Sequence, residues 1–164
     1  MNLKERLRRQ MLTARETSER LLADFKTPED WTRQVHSNCN HALWFAGHMA
    51  QTDNFFISVL DPAKAQIWPE FAKLFGMGSH PTADPHDYPA PEEVLAAMRE
   101  RRQTLLSILD SLSEEDFTEP MPKGTPEFLP DKGSVFEASI WHEGMHSGQL
   151  SVARRSLGYQ PLMA

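Results

Sequence analysis

The segment from Trp141 to Leu150 holds two histidines whose spacing is typical of half a metal site. His142 and His146 flank Glu143 in the string H-E-x-x-H, in which zinc peptidases use the two histidines as ligands and the glutamate as general base. Side chains four residues apart lie on one face of a helix, so both imidazoles can reach one ion. The other residues predicted on this face are mostly apolar: Val135, Ser139, Leu150 and Ala153. A pair of surface or capping histidines is the alternative, but an inward face favours ligands, because a buried imidazole without a partner costs about 1–3 kcal/mol.

A third ligand must come from upstream of this motif. The chain after His146 contains no histidine, aspartate, glutamate or cysteine, whereas familiar zinc peptidases take their third ligand there. His48 is the best candidate, since it lies in the middle of a predicted apolar helix. His41 lies two turns earlier on the same face and is either a pocket residue or a plain helix-start histidine. The peptidase interpretation therefore fails, and the two motif histidines need His48 as a partner.

The remaining polar residues near the motif have open roles. Glu143 is either a general base or a structural residue that faces a neighbouring helix or solvent, and we favour the structural role. Gln149 follows His146 by three residues and is a candidate for bonding the rim of the site or a water on the metal. Gly148 predicts a close helix approach, because glycine inside a helix costs about 1 kcal/mol. The other histidines, His36, His80 and His86, are expected to be solvent-exposed. The lone cysteine, Cys39, is expected to be inert.

Four amphipathic helices must position these residues. Apolar residues recur at spacings of three, four and seven in four segments: about Leu3 to Phe25, about Asn40 to Leu60, from Pro91 to about Leu112, and about Ser134 to Leu157. Asn38 or Asn40 is the predicted cap of the second helix, and Asp61-Pro62 and Gly158 are predicted stops. A long proline-rich connection, residues 61–90, joins the second and third helices. We expect a single all-α domain over residues 1–164, a four-helix bundle with long crossover loops, in which facing helices can build a metal site.

Charge and composition exclude several functions. The net charge of −6 argues against a nucleic-acid partner, and we interpret Arg99, Arg101 and Arg102 as a solvated helix face. The sequence has no apolar run of membrane-spanning length and no signal-peptide pattern at its start. One cysteine permits no internal disulfide, which fits a reducing cytoplasm. We therefore expect a cytoplasmic protein that contacts neither nucleic acid nor membrane.

The motifs as a set resemble a known family. The string ALWFAGHMAQTDNFF and, far along the chain, HEGMHSGQLSVARRSLGYQPL resemble the DinB-like (YfiT-like) metalloenzymes. The linking segments FAKLFGMGSHP, YPAPEEVLAAMRERRQTLLSIL and LSEEDF agree with that resemblance. It implies a four-helix bundle in up-down-down-up order, in which His48, His142 and His146 bind one divalent metal, often zinc or nickel, with open positions for water. Homodimers are common in that family.

The resemblance also implies a type of chemistry. Characterised relatives use the metal with a low-molecular-weight thiol, such as bacillithiol or mycothiol, as S-transferases or as a thiol-dependent isomerase. A metal-dependent enzyme acting on a small-molecule substrate is therefore the expected function. The alternatives are a small-molecule metallohydrolase with Glu143 as base, and a non-catalytic metal-binding stress-response protein. His41 and Gln149 are candidates for orienting the incoming group, and the loop from Gly76 to His86 for shaping the mouth of the site.

Overall fold

The computed structural model describes residues 1–162, and these residues form six α-helices and no strand. The all-α prediction is confirmed, and the four predicted helices are α1, α3, α5 and α6, with ends that differ by up to three residues. Short 3-10 turns follow α3, precede α5 and precede α6. The helix bounds are α1 Leu3–Leu22, α2 Pro28–Trp31, α3 Ala42–Leu60, α4 Pro69–Phe75, α5 Pro91–Ser111 and α6 Lys132–Ser156.

The cap of α3 differs from the prediction. His41, rather than Asn38 or Asn40, is the N-cap residue, and its Nδ1 accepts a hydrogen bond from the backbone N–H of Trp44 at 3.0 Å. An imidazole acceptor can satisfy a free N–H at a helix start as a serine or asparagine oxygen does. The prediction that α3 ends at Asp61-Pro62 is confirmed.

Contacts between the four long helices give their directions. Side chains near the start of α1 contact the end of α5, so these two helices are antiparallel, whereas α1 and α6 run parallel. Helix α3 is antiparallel to α6, and the resulting order is up-down-down-up. The contacts that fix it are Arg8–Asp110 and Glu19–Arg99 for α1 and α5, Ser18–Ser147 and Asp24–Arg154 for α1 and α6, and Asn40–Gln149 and His48–His142 for α3 and α6.

Four buried charges divide the apolar core into two halves. Each long helix contributes one of these charged residues, and we call Arg15, Asp53, Arg102 and Glu143 the charged layer. Each of them is at most 6% exposed. Along every long helix the charged residue lies between apolar residues of one core half and those of the other. The charges balance, two positive and two negative, which is the condition under which buried ions are tolerated.

Short ion pairs join the residues of the charged layer. Arg15 Nε lies 2.7 Å from Glu143 Oε1, and Arg15 Nη2 lies 3.1 Å from Asp53 Oδ2. Arg102 donates from Nε and Nη2 to the two Asp53 oxygens at 2.9 and 3.0 Å. Its Nη2 also lies 2.8 Å from Glu143 Oε2, as an ion pair without hydrogen-bond geometry. All four long helices are therefore tied together at one level of the bundle.

The predicted solvated face on α5 was wrong for two of its three arginines. Arg101 and Arg102 are 4% and 2% exposed, whereas Arg99 is exposed and pairs with Glu19. Arg101 donates to the Asn54 side chain and stands 5.6 Å from the Trp68 ring. Counting charges along the sequence does not reveal such burial, because buried arginines depend on partners from other helices.

One glycine allows a close approach, and it is not the predicted one. A Cβ at Gly47 would lie 2.2 Å from the ring of Phe75, so the absence of a side chain lets α4 pack directly on α3. A Cβ at Gly148 would meet no atom within 4 Å, and Gly148 is exposed. The close approach predicted at Gly148 was therefore wrong. In the part of the chain that the structure describes, no helix is both long and apolar enough to span a membrane.

Candidate metal centre

The three predicted ligands lie together between α3 and α6. One ring nitrogen from each of His48, His142 and His146 falls within 4.8 Å of the others. The Nε2 atoms of His48 and His142 are 3.2 Å apart. Two nitrogens that each lie 2.0–2.1 Å from a tetrahedral ion stand about 3.3 Å apart, so this pair has the spacing that a shared metal requires. The cluster proposed from the sequence is therefore present as a group of facing imidazoles.

The connection between α3 and α5, residues 61–90, orients His48. Its Nδ1 lies 2.7 Å from the backbone oxygen of Phe75, the last residue of α4, and an Nδ1–H donates to that oxygen. The proton on Nδ1 leaves the Nε2 lone pair free to face the other two histidines. The indole of Trp44 stacks on the imidazole with ring centroids 4.2 Å apart. Such outer contacts fix the tautomer and rotation of a metal-binding histidine.

Gln149 orients His146 in the same way. Its Oε1 accepts from His146 Nδ1 at 3.0 Å, and the side chain of Asn40 donates to that oxygen at 3.0 Å as well. The second donor fixes Oε1 as the end of the amide that faces His146, so the Nε2 lone pair of His146 also faces the shared site. Gln149 thus acts through His146, although the sequence left its role open between the rim of the site and a water on the metal.

The protonation state of the three histidines suits a metal. Burial, followed by the influence of the neighbouring imidazoles, lowers the pKa of His48 to about 4 and that of His142 to about 3. Burial also lowers the pKa of His146. All three are therefore neutral near pH 7, which is the form that binds metal ions. Neutral rings, two fixed tautomers and the spacing of the nitrogens together fit a divalent ion.

Glu143 does not face this centre. Its side chain is 0% exposed and is held in the charged layer by Arg15 and Arg102. Burial alone would raise the pKa of Glu143, but the two guanidinium groups hold it below its usual range. A carboxylate sealed between two arginines has neither access to water nor a pKa suited to accepting a proton. This geometry supports the structural role that the sequence favoured.

His41 lies away from the cavity and serves as a helix-start residue. It is 1% exposed, caps α3 through Nδ1, and meets Tyr88 edge-on at 4.9 Å between ring centroids. Burial lowers the pKa of His41 to about 4. The three loop histidines expected to be exposed are exposed: His36, His80 and His86. Cys39 is exposed as well.

A cavity of about 650 Å³ opens beside the histidines. Helix α3 lines it with Gln51, Thr52 and Phe55, which follow His48 by three, four and seven residues and share its face. Trp141 lines the cavity from α6, next to His142. Gln51, Thr52 and Trp141 were not predicted at the site, although the helical spacing from His48 could have identified the first two. Of the predicted loop Gly76–His86, only Gly76, Met77 and Gly78 reach the cavity. Phe128, from the connection between α5 and α6, completes the wall.

Removing the Gln149 acceptor is expected to weaken metal binding. We expect Gln149→Leu to lower metal affinity about tenfold, because His146 loses the bond that fixes its tautomer. Gln149→Glu keeps an acceptor and is expected to retain the affinity. Competition with a chelator of known affinity measures both variants, and Gln103→Leu on the exposed face of α5 is the matched control. Equal affinities in Gln149→Leu and Gln103→Leu would contradict the orienting role.

Comparison with known proteins places the chain in a family. A conserved protein from Enterococcus faecalis, known from a crystal structure, has a similar fold with a TM-score of 0.65 and 19% identity over 97% of this chain and 99% of its own. At this identity the likeness concerns the fold alone. No curated protein matches the chain. The sequence model of the DinB superfamily matches residues 10–150, which is most of the chain, and the protein therefore belongs to the DinB superfamily.

Proposed function

We propose that the protein is a metal-dependent enzyme in which His48, His142 and His146 hold one divalent ion, zinc or nickel. We further propose that its reaction is a transfer or isomerisation that uses a low-molecular-weight thiol, and that it works as a homodimer in the cytoplasm. The observation that carries the proposal is the cluster of three neutral imidazoles beside an apolar cavity. A divalent ion with three protein ligands keeps an open position, and it would lower the pKa of a thiol or water bound there.

The residues of the chain supply positioning and exclusion of water. Phe75 and Gln149 hold two of the imidazoles in the orientation that points their lone pairs at one place. Trp44 covers one face of His48. The apolar cavity walls leave room for a small molecule next to the ligands, and such a molecule would displace water from them. These contributions are preorganisation of the site rather than proton transfer by a side chain.

The surroundings of the histidines favour a thiol over hydrolysis. Within residues 1–162, no carboxylate lines the cavity, and the Glu143 carboxylate is occupied by two arginines. A hydrolase that activates water commonly needs a general base within hydrogen-bond reach. A thiol that has lost its proton is itself a strong nucleophile and needs no such base. This difference is why we place thiol chemistry before a metallohydrolase.

Metal analysis and a thiol assay test the proposal together. Protein purified without an affinity tag is analysed for metal, stripped with a chelator, and reloaded with zinc or nickel. Conjugation of chlorodinitrobenzene is then followed with single thiols: bacillithiol, mycothiol, glutathione, cysteine and coenzyme A. We expect metal-dependent conjugation that is fastest with one of these thiols, and His48→Ala is expected to lose both the metal and the conjugation.

The controls separate the competing functions. His86→Ala removes an exposed histidine and is expected to keep metal and activity, and circular dichroism checks that His48→Ala is folded. Metal content unchanged in a folded His48→Ala variant would refute the site. Metal-dependent ester hydrolysis that needs no thiol would assign a metallohydrolase. Bound metal without either reaction would leave a non-catalytic metal-binding protein.

A further inference from the structure

The cavity beside the histidines has aromatic walls and an apolar mouth. Trp44 and Phe56 line its inner part, and Phe55, Phe128 and Trp141 lie at its more exposed part. Phe128 is 65% exposed and Trp141 is 68% exposed, which is unusual for such large side chains. The volume of about 650 Å³ is in the range that encloses a drug-sized molecule. An apolar ligand here would cover aromatic surface that is otherwise in contact with water.

The cavity offers no partner for a charged group beyond the ion. Among the described residues that line it, the polar ones are Gln51, Thr52 and the neutral histidines, and none is lysine, arginine, aspartate or glutamate. The buried arginines of the charged layer are already neutralised by Asp53 and Glu143. The net charge of −6 adds a general repulsion for anions. A charged substituent in the cavity would therefore lose its hydration without compensation.

One lining residue has an unmet hydrogen bond. The Oε1 atom of Gln51 is shielded from solvent, and no donor among the described residues bonds to it. Gln51 lies one turn after His48 and lines the cavity from the same face of α3. Buried acceptors are nearly always paired, and leaving one unpaired costs free energy. Because this oxygen has no partner to give up, the Gln51 amide can turn toward the cavity, where a ligand with a hydroxyl or amide N–H would supply the missing donor.

We infer that this cavity binds an uncharged, mostly apolar small molecule with a hydroxyl or N–H donor that bonds to Gln51. The inference deepens the proposed function and rests on it in one respect, namely that this molecule would be the substrate held next to the metal. It gives the substrate that receives the transferred group a chemical class. This substrate has an uncharged aromatic or aliphatic body and a hydroxyl or N–H group that bonds to Gln51, one helical turn after His48. The same reasoning disfavours substrates that carry a carboxylate or phosphate out of reach of the ion.

Three probes of one shape test the inference. Naphthol has the apolar body and the donor, methoxynaphthalene has the body alone, and naphthalenesulfonate adds a charge but is a weak metal ligand. Binding to the metal-loaded protein is measured by calorimetry. We expect naphthol to bind about tenfold more tightly than methoxynaphthalene, the effect of one hydrogen bond to a buried acceptor. We expect naphthalenesulfonate to bind at least about tenfold more weakly than naphthol, because its charge has no partner.

Gln51→Leu locates the donor contact. This variant is expected to remove the preference for naphthol over methoxynaphthalene while it keeps the binding of methoxynaphthalene. Gln103→Leu, an exposed glutamine on α5, is expected to keep the preference. An unchanged preference in Gln51→Leu would overturn the assignment of the donor contact. Absence of naphthol binding at millimolar concentration, or equal binding of the sulfonate, would overturn the inference about the cavity.

The same measurements on His142→Ala separate this inference from the proposed function. The variant is expected to lose the metal and to keep the order of the three probes, because the aromatic walls and Gln51 remain. If the native protein binds no metal, the proposed function fails, and the order of the probes still decides the class of ligand. If metal and thiol activity are found but the probes bind in another order, only the inference fails.

Discussion

Replacing Glu143 with glutamine is expected to lower the free energy of unfolding by about 3–5 kcal/mol, the usual cost of removing one partner from a buried ion pair. The side chain keeps its size, so the effect comes from charge. Glu143→Gln leaves Arg15 and Arg102 with only Asp53 as a counter-ion at a level of the bundle where each of them is at most 6% exposed. Urea denaturation with a fixed metal load measures the change.

The control for this prediction lies on the same helix. Glu137→Gln removes a charge from an exposed position of α6 and is expected to change stability by less than about 0.5 kcal/mol. Metal content is expected to stay the same in both variants, because neither residue contributes to the histidine cluster. A Glu143→Gln variant as stable as Glu137→Gln would show that the charged layer does not hold the helices together.

The pH dependence provides a second measurement for Glu143. Its pKa in the folded protein lies below the usual range, so its stabilising contribution is complete above the unfolded value of about 4.3. That contribution is lost as the pH falls through the lower folded pKa. The stability difference between the native protein and Glu143→Gln should therefore be constant near neutral pH and shrink in acid. A difference that grows in acid would contradict this sign.

Replacing Gly47 with alanine is expected to destabilise the protein by about 1–3 kcal/mol and to weaken metal binding about tenfold. The added Cβ would lie 2.2 Å from the fully buried Phe75 ring, so α4 must move away from α3. That movement displaces the Phe75 oxygen that accepts from His48 Nδ1. Stability and metal affinity should fall together, as urea denaturation and chelator competition would show.

Gly144→Ala is the matched control for this substitution. Gly144 also lies inside a helix, but a Cβ there would meet no atom within 4 Å. Alanine is a better helix former than glycine, so we expect Gly144→Ala to raise stability by up to about 1 kcal/mol and to leave metal affinity unchanged. A Gly47→Ala variant that gains stability like Gly144→Ala would show that Phe75 does not depend on the missing side chain.

The sequence predicted the long helices and the histidine cluster because both follow from local spacing. Apolar periodicity marks the helices, and the pair His142 and His146 needed a third ligand that the rest of α6 could not supply. His48 was the remaining histidine inside an apolar helix. The resemblance to the DinB-like family, which the match over residues 10–150 confirms, agreed with this choice.

The charged layer was missed although each helix carries its signal. Arg15 follows Met11 by four residues, Asp53 follows Met49 by four, and Arg102 follows Met98 by four, so each occupies an inward position of its helix. A charged residue at an inward position usually indicates that the apolar face of the helix has been assigned wrongly. Burial of these charges is expected only if all four helices place a charged residue at the same level of the bundle. Their meeting depends on helix register, which local periodicity does not determine.

The contact between Phe75 and His48 could not be predicted from the sequence. It depends on how the crossover returns to α3, and residues 61–90 have little periodicity that would fix their path. Gly47 carries the relevant signal, but the close approach was predicted at Gly148, two residues after His146. The cap of α3 was misplaced for a related reason, because a histidine is a rarer cap than the asparagine beside it.

One short segment of the crossover serves two purposes, and this has a consequence for engineering the protein. The Phe75 oxygen aligns His48 of the histidine cluster, and the next three residues, Gly76 to Gly78, form part of the cavity wall. If this segment is randomised to change substrate preference, variants in which Phe75 moves are expected to lose the hydrogen bond that orients His48. Within this segment Met77 alone is a suitable position to vary, and Phe128 is another outside it, because their exposed side chains can be changed without moving the backbone that orients His48.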